Sequence, residues 1–458
     1  MDWIPTLSEW SGPPFRRIVD ALSADISSGR LKRGQQIPTH RALAGALSLD
    51  LTTVTRAYGE ARRRGLIEAQ VGRGTFVSET TVRAPENIPH AVKIDLSMNV
   101  PPQPIEANLD LHIAQGLKAI QDETGLSAFL NYRQPGGSDD ERAVAAHWLR
   151  RRIPDARSER LIVYPGNQTI LFNLLVALTS PGDVILTEAL TFPGMKAAAR
   201  QLGVRLVGIE MDADGIRPEA LKSACKQYKP KAVYLTPTLH NPTTATMPQK
   251  RSEAIADVIR AGKTILIEDD AYGWLNPGSS PIANLIPERT YLAVGLSKCI
   301  APALRVSYLV VPDAEAEHKM RECLAATVQM PAPLMVALVT HWIRTGIADD
   351  IILAIRNEAG GRQRMAGKFL KGIPYAAGAH GHHLWLPLPG RRSRIDFLGQ
   401  LLHGGLAVVG DDAFAVDATS QPAVRVCLGA PRTREELAQA LRTLADAFAS
   451  RSQNVQIV

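Results

Sequence analysis

Between residues 161 and 311 the chain keeps returning to one pattern, and that pattern leaves few folds open. Short, largely apolar runs such as Leu161–Tyr164, Val184–Thr187 and Arg205–Ile209 end in polar or glycine turns. Helix-spaced segments follow them, among them Gln168–Leu178 and a stretch near Gly194–Gln201, and the series closes on Arg305–Val311. Strands this short and apolar, separated by helical crossovers, predict an α/β fold with a mostly parallel sheet and helices on both faces. In such sheets ligands collect where the strands end.

The polar residues just past those strand ends form a chemical set. Lys298 follows Ala293-Val-Gly-Leu-Ser, and Asp269 and Tyr272 follow the apolar run that begins at Thr264. Asn241, in His240-Asn-Pro-Thr243, follows Ala232-Val-Tyr-Leu-Thr. A buried lysine whose amine is kept neutral can form an imine, and a nearby cation such as Arg305 favours the neutral form. An acid, Asp269, facing a pyridine nitrogen keeps that ring protonated and electron-withdrawing. Asn241 and Tyr272 can hydrogen-bond a phenolic oxygen. Gly166-Asn167-Gln168 opens a helix whose free N–H groups suit a phosphate, Arg305 adds a bidentate charge, and Phe192 can stack on a ring. Taken singly, each residue has an ordinary structural explanation as a cap, a turn, a core aromatic or a solvated lysine. Their order on successive strand ends points instead to a pyridoxal 5'-phosphate pocket.

This order resembles the fold-type I aminotransferases of class I/II over roughly residues 93–450. The resemblance implies that Lys298 is the Schiff-base lysine, Asp269 the pyridine partner, Asn241 and Tyr272 the phenolate partners, and Arg305 a phosphate ligand. It also assigns Arg425, in Ala423-Val-Arg-Val-Cys427, to a substrate α-carboxylate. Tyr132, in Asn131-Tyr-Arg-Gln-Pro-Gly-Gly137, matches a tyrosine presented to the phosphate across a dimer interface. Three positions depart from the family pattern: Gly295 stands where a serine is common, Asn167 where a small residue is common, and Thr244 where glycine is frequent.

The first eighty residues read differently. Phe15, Ile18, Val19, Leu22 and Ile26 recur at helical spacing, and a short second helix follows Pro38-Thr39. Asp50 is placed to cap a third helix with Val54, Ala57, Tyr58 and Ala61 on its buried stripe, ended by Gly65. Strands at Ile67–Val71 and Thr75–Val77 flank the turn Gly72-Arg73-Gly74. That order predicts a winged helix–turn–helix. Thr52, Thr53, Thr55 and Arg56 line the third helix's polar face, Arg41 starts the second helix, and Arg73 tips the wing; all are candidate contacts to double-stranded operator DNA. The segments Ser28–Ala44, Thr52–Tyr58 and Gly72–Val77 resemble the GntR-type winged helix over residues 14–77, although Leu51 stands where an arginine is common. Joined to an aminotransferase-like domain, this module resembles the MocR subfamily of GntR regulators. That resemblance implies a homodimer.

The division expected is a DNA-binding domain at 10–78, a linker at 79–92 and a pyridoxal phosphate-binding domain at 93–458, with a large lobe about 141–325 and a small α+β lobe about 326–458. Residues 1–80 hold eleven Lys/Arg and eight Asp/Glu within a net charge of +7, a density that suits a polyanion. Cys225, Cys299, Cys323 and Cys427 lack metal-ligand spacing and read as reduced thiols, so no metal is expected. No apolar run approaches the roughly 18 residues of a membrane span, and a cytoplasmic location without membrane partners is expected. The reading is a transcriptional regulator sensing pyridoxal phosphate, an amino acid or another amine. The rivals are a working aminotransferase with an appended helical domain and a pseudoenzyme without cofactor.

Overall fold

Asp50 and Thr39 begin two of the first helices by the same device, a side-chain oxygen that accepts from an amide of the first turn. Thr39 Oγ1 accepts from Ala42 N at 3.3 Å, and Asp50 Oδ1 accepts from Thr52 N at 2.7 Å. The computed structural model describes residues 3–7, 13–27, 30–32, 34–63, 66–70, 74–77, 93–389, 392–417 and 421–449. They form two compact units, residues 1–91 and 92–458.

In the first unit α1 (Pro14–Ser27), β1 (Gln36–Ile37), α2 (His40–Leu47), α3 (Leu51–Arg63), β2 (Ile67–Gln70) and β3 (Gly74–Val77) follow in order. Ile18, Val19 and Leu22 meet Leu43, Val54, Ala57 and Tyr58 in one buried core. β3 pairs antiparallel with both β2 and β1, so the hairpin expected from the sequence is a three-stranded sheet. Gly65, the wing tip with Arg73 and the 79–92 segment lie outside the described residues.

The second unit is built on a seven-stranded sheet. Its strands are β4 (Leu161–Tyr164), β5 (Val184–Glu188), β6 (Arg205–Ile209), β7 (Ala232–Leu235), β8 (Ile265–Asp269), β9 (Thr290–Gly295) and β10 (Ser307–Val310). They lie in the order β4-β10-β9-β8-β7-β5-β6, and only β10 runs against its neighbours. Every residue of β4, β7, β9 and β10 is buried, which is why these stretches read as continuous apolar runs. Helices α4 (Asn167–Leu178), α5 (Pro193–Gln201), α6 (Pro218–Tyr228) and α7 (Gln249–Gly262) are the crossovers. Because β10 is reversed, its first residue, Ser307, lies level with the carboxyl ends of β4 and β9. Arg305, two residues earlier, therefore joins the residues at that edge.

A long helix, α8 (Ile347–Phe369), links two cores: Ile351 and Ile355 pack with the large sheet, while Ala366 packs with the C-terminal lobe. That lobe holds a four-stranded antiparallel sheet of β11 (Ala376–Ala377), β12 (His383–Pro387), β13 (Val409–Gly410) and β14 (Ala423–Cys427). The short strand Ile94–Asp95 pairs with Leu406–Ala407, and Leu96 is buried in the same core. Among the described residues no helix is long and apolar enough to cross a membrane.

Candidate functional site

The carboxyl edge of the large sheet gathers Lys298, Asp269, Asn167 and Arg305 with residues that the sequence did not single out. β9 ends at Gly295 and a turn follows, in which Lys298 Nζ donates to the carbonyl of Asn99 at 2.5 Å. Burial pushes the Lys298 amine down to about 8; Arg425 and then Arg305 add to that, while Cys427 and Asp269 oppose it. Arg305, the cation named from the sequence, is thus secondary to desolvation and to Arg425.

Asp269, the last residue of β8, is buried between two donors. Asn167 Nδ2 reaches its Oδ1 at 2.7 Å, and the Tyr234 hydroxyl reaches its Oδ2 at 3.0 Å. Burial lifts the Asp269 carboxyl to about 6, and those two donors hold it from rising further. Expected among the phosphate-facing residues, Asn167 spends its side chain on Asp269, and its Oδ1 is buried without a partner. This joins two of the departures from the family pattern, since a Cβ at Gly295 would lie 2.7 Å from Asn167 Oδ1. Glycine there leaves the space the asparagine fills.

The amino end of α4 has no side-chain cap, and its N-cap, Gly166, lies at φ 97°. Amides of a helix's first turn have no partner within the helix. Arg305 donates to the Pro165 carbonyl at 2.9 Å, and a Cβ on Gly166 would overlap its guanidinium. Gln168 Nε2 donates to the Gly194 carbonyl at 2.9 Å, beside Phe192, which precedes α5 and is half-buried.

Asn99 ties Tyr272 to the C-terminal lobe. Its Nδ2 donates to the Tyr272 hydroxyl at 2.8 Å and lies 3.2 Å from His383 Nδ1. The Tyr272 oxygen is then an acceptor from Asn99, leaving its own proton to donate elsewhere. Asn241 Oδ1 accepts from Arg425 Nη1 at 2.9 Å, and Arg425 Nη2 donates to the Ser97 carbonyl at 2.6 Å. Arg425 is buried, lies 4.8 Å from the Phe414 ring centre and has an Nε without a partner. Tyr132 is not brought into this group: it is 85% exposed, next to an equally open Leu130.

Further buried acids stand nearby. Glu188, at the end of β5, accepts from Thr236 N at 3.0 Å and lies 4.0 Å from His240 Nε2. Burial pushes its carboxyl up to about 7 and the His240 imidazole down to about 4. Asp270 is held by both ends of the Arg152 guanidinium at 3.0 Å, a buried pair that braces the turn after β8.

On α3, Thr52, Thr55 and Arg56 are exposed and Thr53 is partly so; Arg41 on α2 is exposed. Two of the hydroxyls already have uses: Thr52 Oγ1 donates to Asp50, and Thr55 Oγ1 donates to the Leu51 carbonyl at 2.8 Å. They face outward as acceptors. The Arg56 guanidinium lies 4.0 Å from the Phe15 ring centre, a cation–π contact that limits its rotamers before any DNA arrives.

Comparison with known proteins places both halves. The aminotransferase class I and II family model matches residues 91–444, and that of bacterial regulatory proteins of the gntR family matches residues 14–77. The HTH-type transcriptional regulator YdeF of Bacillus subtilis is 29% identical over 446 residues, 97% of this chain and 96% of its own. The vitamin B6 salvage pathway transcriptional repressor PtsJ of Salmonella typhimurium is 28% identical, across 89% of this chain and 93% of its own. Among solved structures, LysN of Thermus thermophilus, an alpha-aminoadipate aminotransferase complexed with N-(5'-phosphopyridoxyl)-L-leucine, superposes with a TM-score of 0.71 at 22% identity. The match covers 78% of this chain and 92% of that one. The chain belongs to the aminotransferase class I and II family and carries a gntR-family DNA-binding domain ahead of it, the arrangement of the MocR subfamily of transcriptional regulators.

Proposed function

We propose that this regulator binds pyridoxal 5'-phosphate at Lys298 and changes its hold on operator DNA when an amino compound reaches that site. The observation that carries the reading is a half-buried lysine shifted toward its neutral form, on the same sheet edge as a buried acid, in a chain that also has a winged helix. The donor set fits the cofactor. Asp269 takes the pyridine nitrogen, Tyr272 and Asn241 the phenolic oxygen, and the first turn of α4 with Arg305 the phosphate, while Phe192 covers a ring face. Arg425, buried without a carboxylate partner among the described residues, takes the carboxylate of an amino acid. When bound, the cofactor supplies an aldehyde that captures primary amines and a ring that withdraws electrons.

Arg41, Thr52, Thr53, Thr55, Arg56 and Arg73 are the DNA-facing residues in this reading. Two copies act together: Tyr132 and Leu130, 85% and 84% exposed, lie on the surface a second copy covers, and Tyr132 then reaches the partner's phosphate. The domain division at 10–78, 79–92 and 93–458 and a cytoplasmic location belong to the same proposal.

The test is footprinting of the full chain on its own upstream DNA, with and without cofactor and amines, beside Lys298→Ala and beside steady-state transamination. Protection that depends on cofactor or amine in the wild type, and not in Lys298→Ala, is expected, with affinity falling steeply as salt rises. Rapid multiple turnover without DNA protection refutes the regulator reading. DNA affinity indifferent to salt refutes the phosphate contacts. Light scattering that finds a monomer removes the role given to Tyr132.

A further inference from the structure

A cavity of about 900 Å³, toward the upper end of the roughly 300–1,000 Å³ that encloses drug-sized ligands, is walled by residues that adjoin Arg425 and Asn241. Its position follows from its walls. Leu239 and Thr243 line it on either side of Asn241 in the chain, and Asn241 is bonded to Arg425. Trp385, another wall residue, is the cross-strand partner of Arg425, so the two side chains share one face of the small sheet. Both pack on Phe414.

The walls carry almost no usable charge. Among the described residues that line the cavity there is no lysine or arginine. Its one carboxylate, Asp212, is already held by Arg251 through bonds of 3.1 and 3.0 Å. The one imidazole, His380, has Nδ1 3.2 Å from the Arg356 carbonyl. The rest is aliphatic, aromatic, hydroxyl or amide, with Ala376 to Ala379 keeping one wall low. Arg425, buried and on the same sheet face as the wall residue Trp385, supplies a positive charge beside the cavity.

We infer that the amino compound this chain reads is a monocarboxylate with a bulky, uncharged side chain, which the cavity holds while Arg425 takes its carboxylate. The inference rests on the reading that Lys298 and Arg425 hold an amino acid. A second carboxylate has no cation to meet there, and a terminal ammonium meets an acid already neutralised. Each would lose its water without a partner. A small side chain leaves the cavity wet and forgoes the apolar burial.

The full chain loaded with pyridoxal phosphate is titrated with phenylalanine, leucine, alanine, glutamate and lysine, followed by cofactor absorbance and by calorimetry. Phenylalanine or leucine is expected to bind at least about tenfold tighter than alanine, and tighter again than glutamate or lysine. Ala376→Trp, on the face of Trp385 and Arg425, fills the cavity, lowers the affinity for phenylalanine and leaves that for alanine unchanged. Ala376→Arg improves glutamate binding. Glutamate or lysine matching the bulky neutral compounds in the wild type overturns the inference and leaves the amine-sensing reading standing. Silence toward all five, with cofactor bound, overturns that reading and the inference with it.

Discussion

On the proposed reading, the lowered pKa of Lys298 sets the pH at which the protein captures pyridoxal phosphate. Only the neutral amine attacks an aldehyde, and burial brings the amine from the ordinary 10.5 down to about 8. Each unit is a factor of ten, so a gap of roughly 2.5 units makes the neutral amine ~300-fold more abundant at neutral pH than on a solvated lysine. The rate of pyridoxal phosphate capture by cofactor-free protein, read by stopped-flow absorbance, should climb tenfold per unit up to about pH 8 and then level. A free primary amine run in parallel removes the aldehyde's own ionisation from the profile. The same shift has a sign in stability. Between about pH 8 and 10.5 the unfolded chain holds a proton that the native state has released, so the cofactor-free protein gains stability as pH rises through that window. Lys298→Met abolishes that gain. A capture rate still climbing tenfold per unit beyond pH 9 refutes the burial argument.

Other perturbations isolate single parts of the site. Gly295→Ser places a side chain where Asn167 Oδ1 would be 2.7 Å from its Cβ. Overpacking of this kind costs about 1–3 kcal/mol, and the double variant with Asn167→Ala should recover most of it in a thermal melt. Asn167→Ala alone removes a donor from Asp269 and moves that carboxyl above its present value of about 6, seen as an upward shift in the pH titration of bound-cofactor absorbance. Asp50→Ala removes the cap of α3 and should cost about 1 kcal/mol in denaturant melts. Arg56→Ala weakens DNA binding and, if it removes one phosphate contact, lowers the salt slope by about 1.

The strand ends were legible because β4, β7, β9 and β10 are buried on both faces, and burial on both faces writes an unbroken apolar run. The reversal of β10 was not legible, since an antiparallel strand buried on both sides carries the same run as a parallel one; yet that reversal brings Arg305 to the edge. Lys298 and Asp269 were readable from their place after a strand. Asn99 and His383 were not: Asn99 precedes the first large-sheet strand by some sixty residues, and its role comes only from tertiary bonds to Tyr272, His383 and Lys298. Asn167 was readable as a position and not as a contact, because the direction of a side chain at a helix start depends on the space Gly295 leaves. In the first unit β1 escaped notice because two residues carry no periodicity.

How capture at Lys298 can reach the rest of the unit follows from what Arg425 holds. Its two terminal nitrogens donate to uncharged oxygens from two separate parts of the chain. One is the Ser97 carbonyl, beside the strand that pairs with the C-terminal lobe; the other is the Asn241 side chain, past the end of β7 in the large sheet. A carboxylate offers the guanidinium two charge-assisted bonds of parallel geometry, stronger than either neutral one. A carboxylate that binds through the two terminal nitrogens competes with both of these oxygens, including the Asn241 oxygen through which Arg425 links the lobes. The occupied and empty states then differ in bonds between lobes as well as in bonds to the ligand, and such a difference in free energy is what a ligand needs in order to shift a conformational equilibrium. Arg425→Lys keeps the charge but cannot make both bonds at once. Amine binding by Arg425→Lys should weaken, and the DNA response to a saturating amine should shrink as well. A variant that loses amine affinity yet keeps the full DNA response at saturation would place the coupling elsewhere in the lobe contacts.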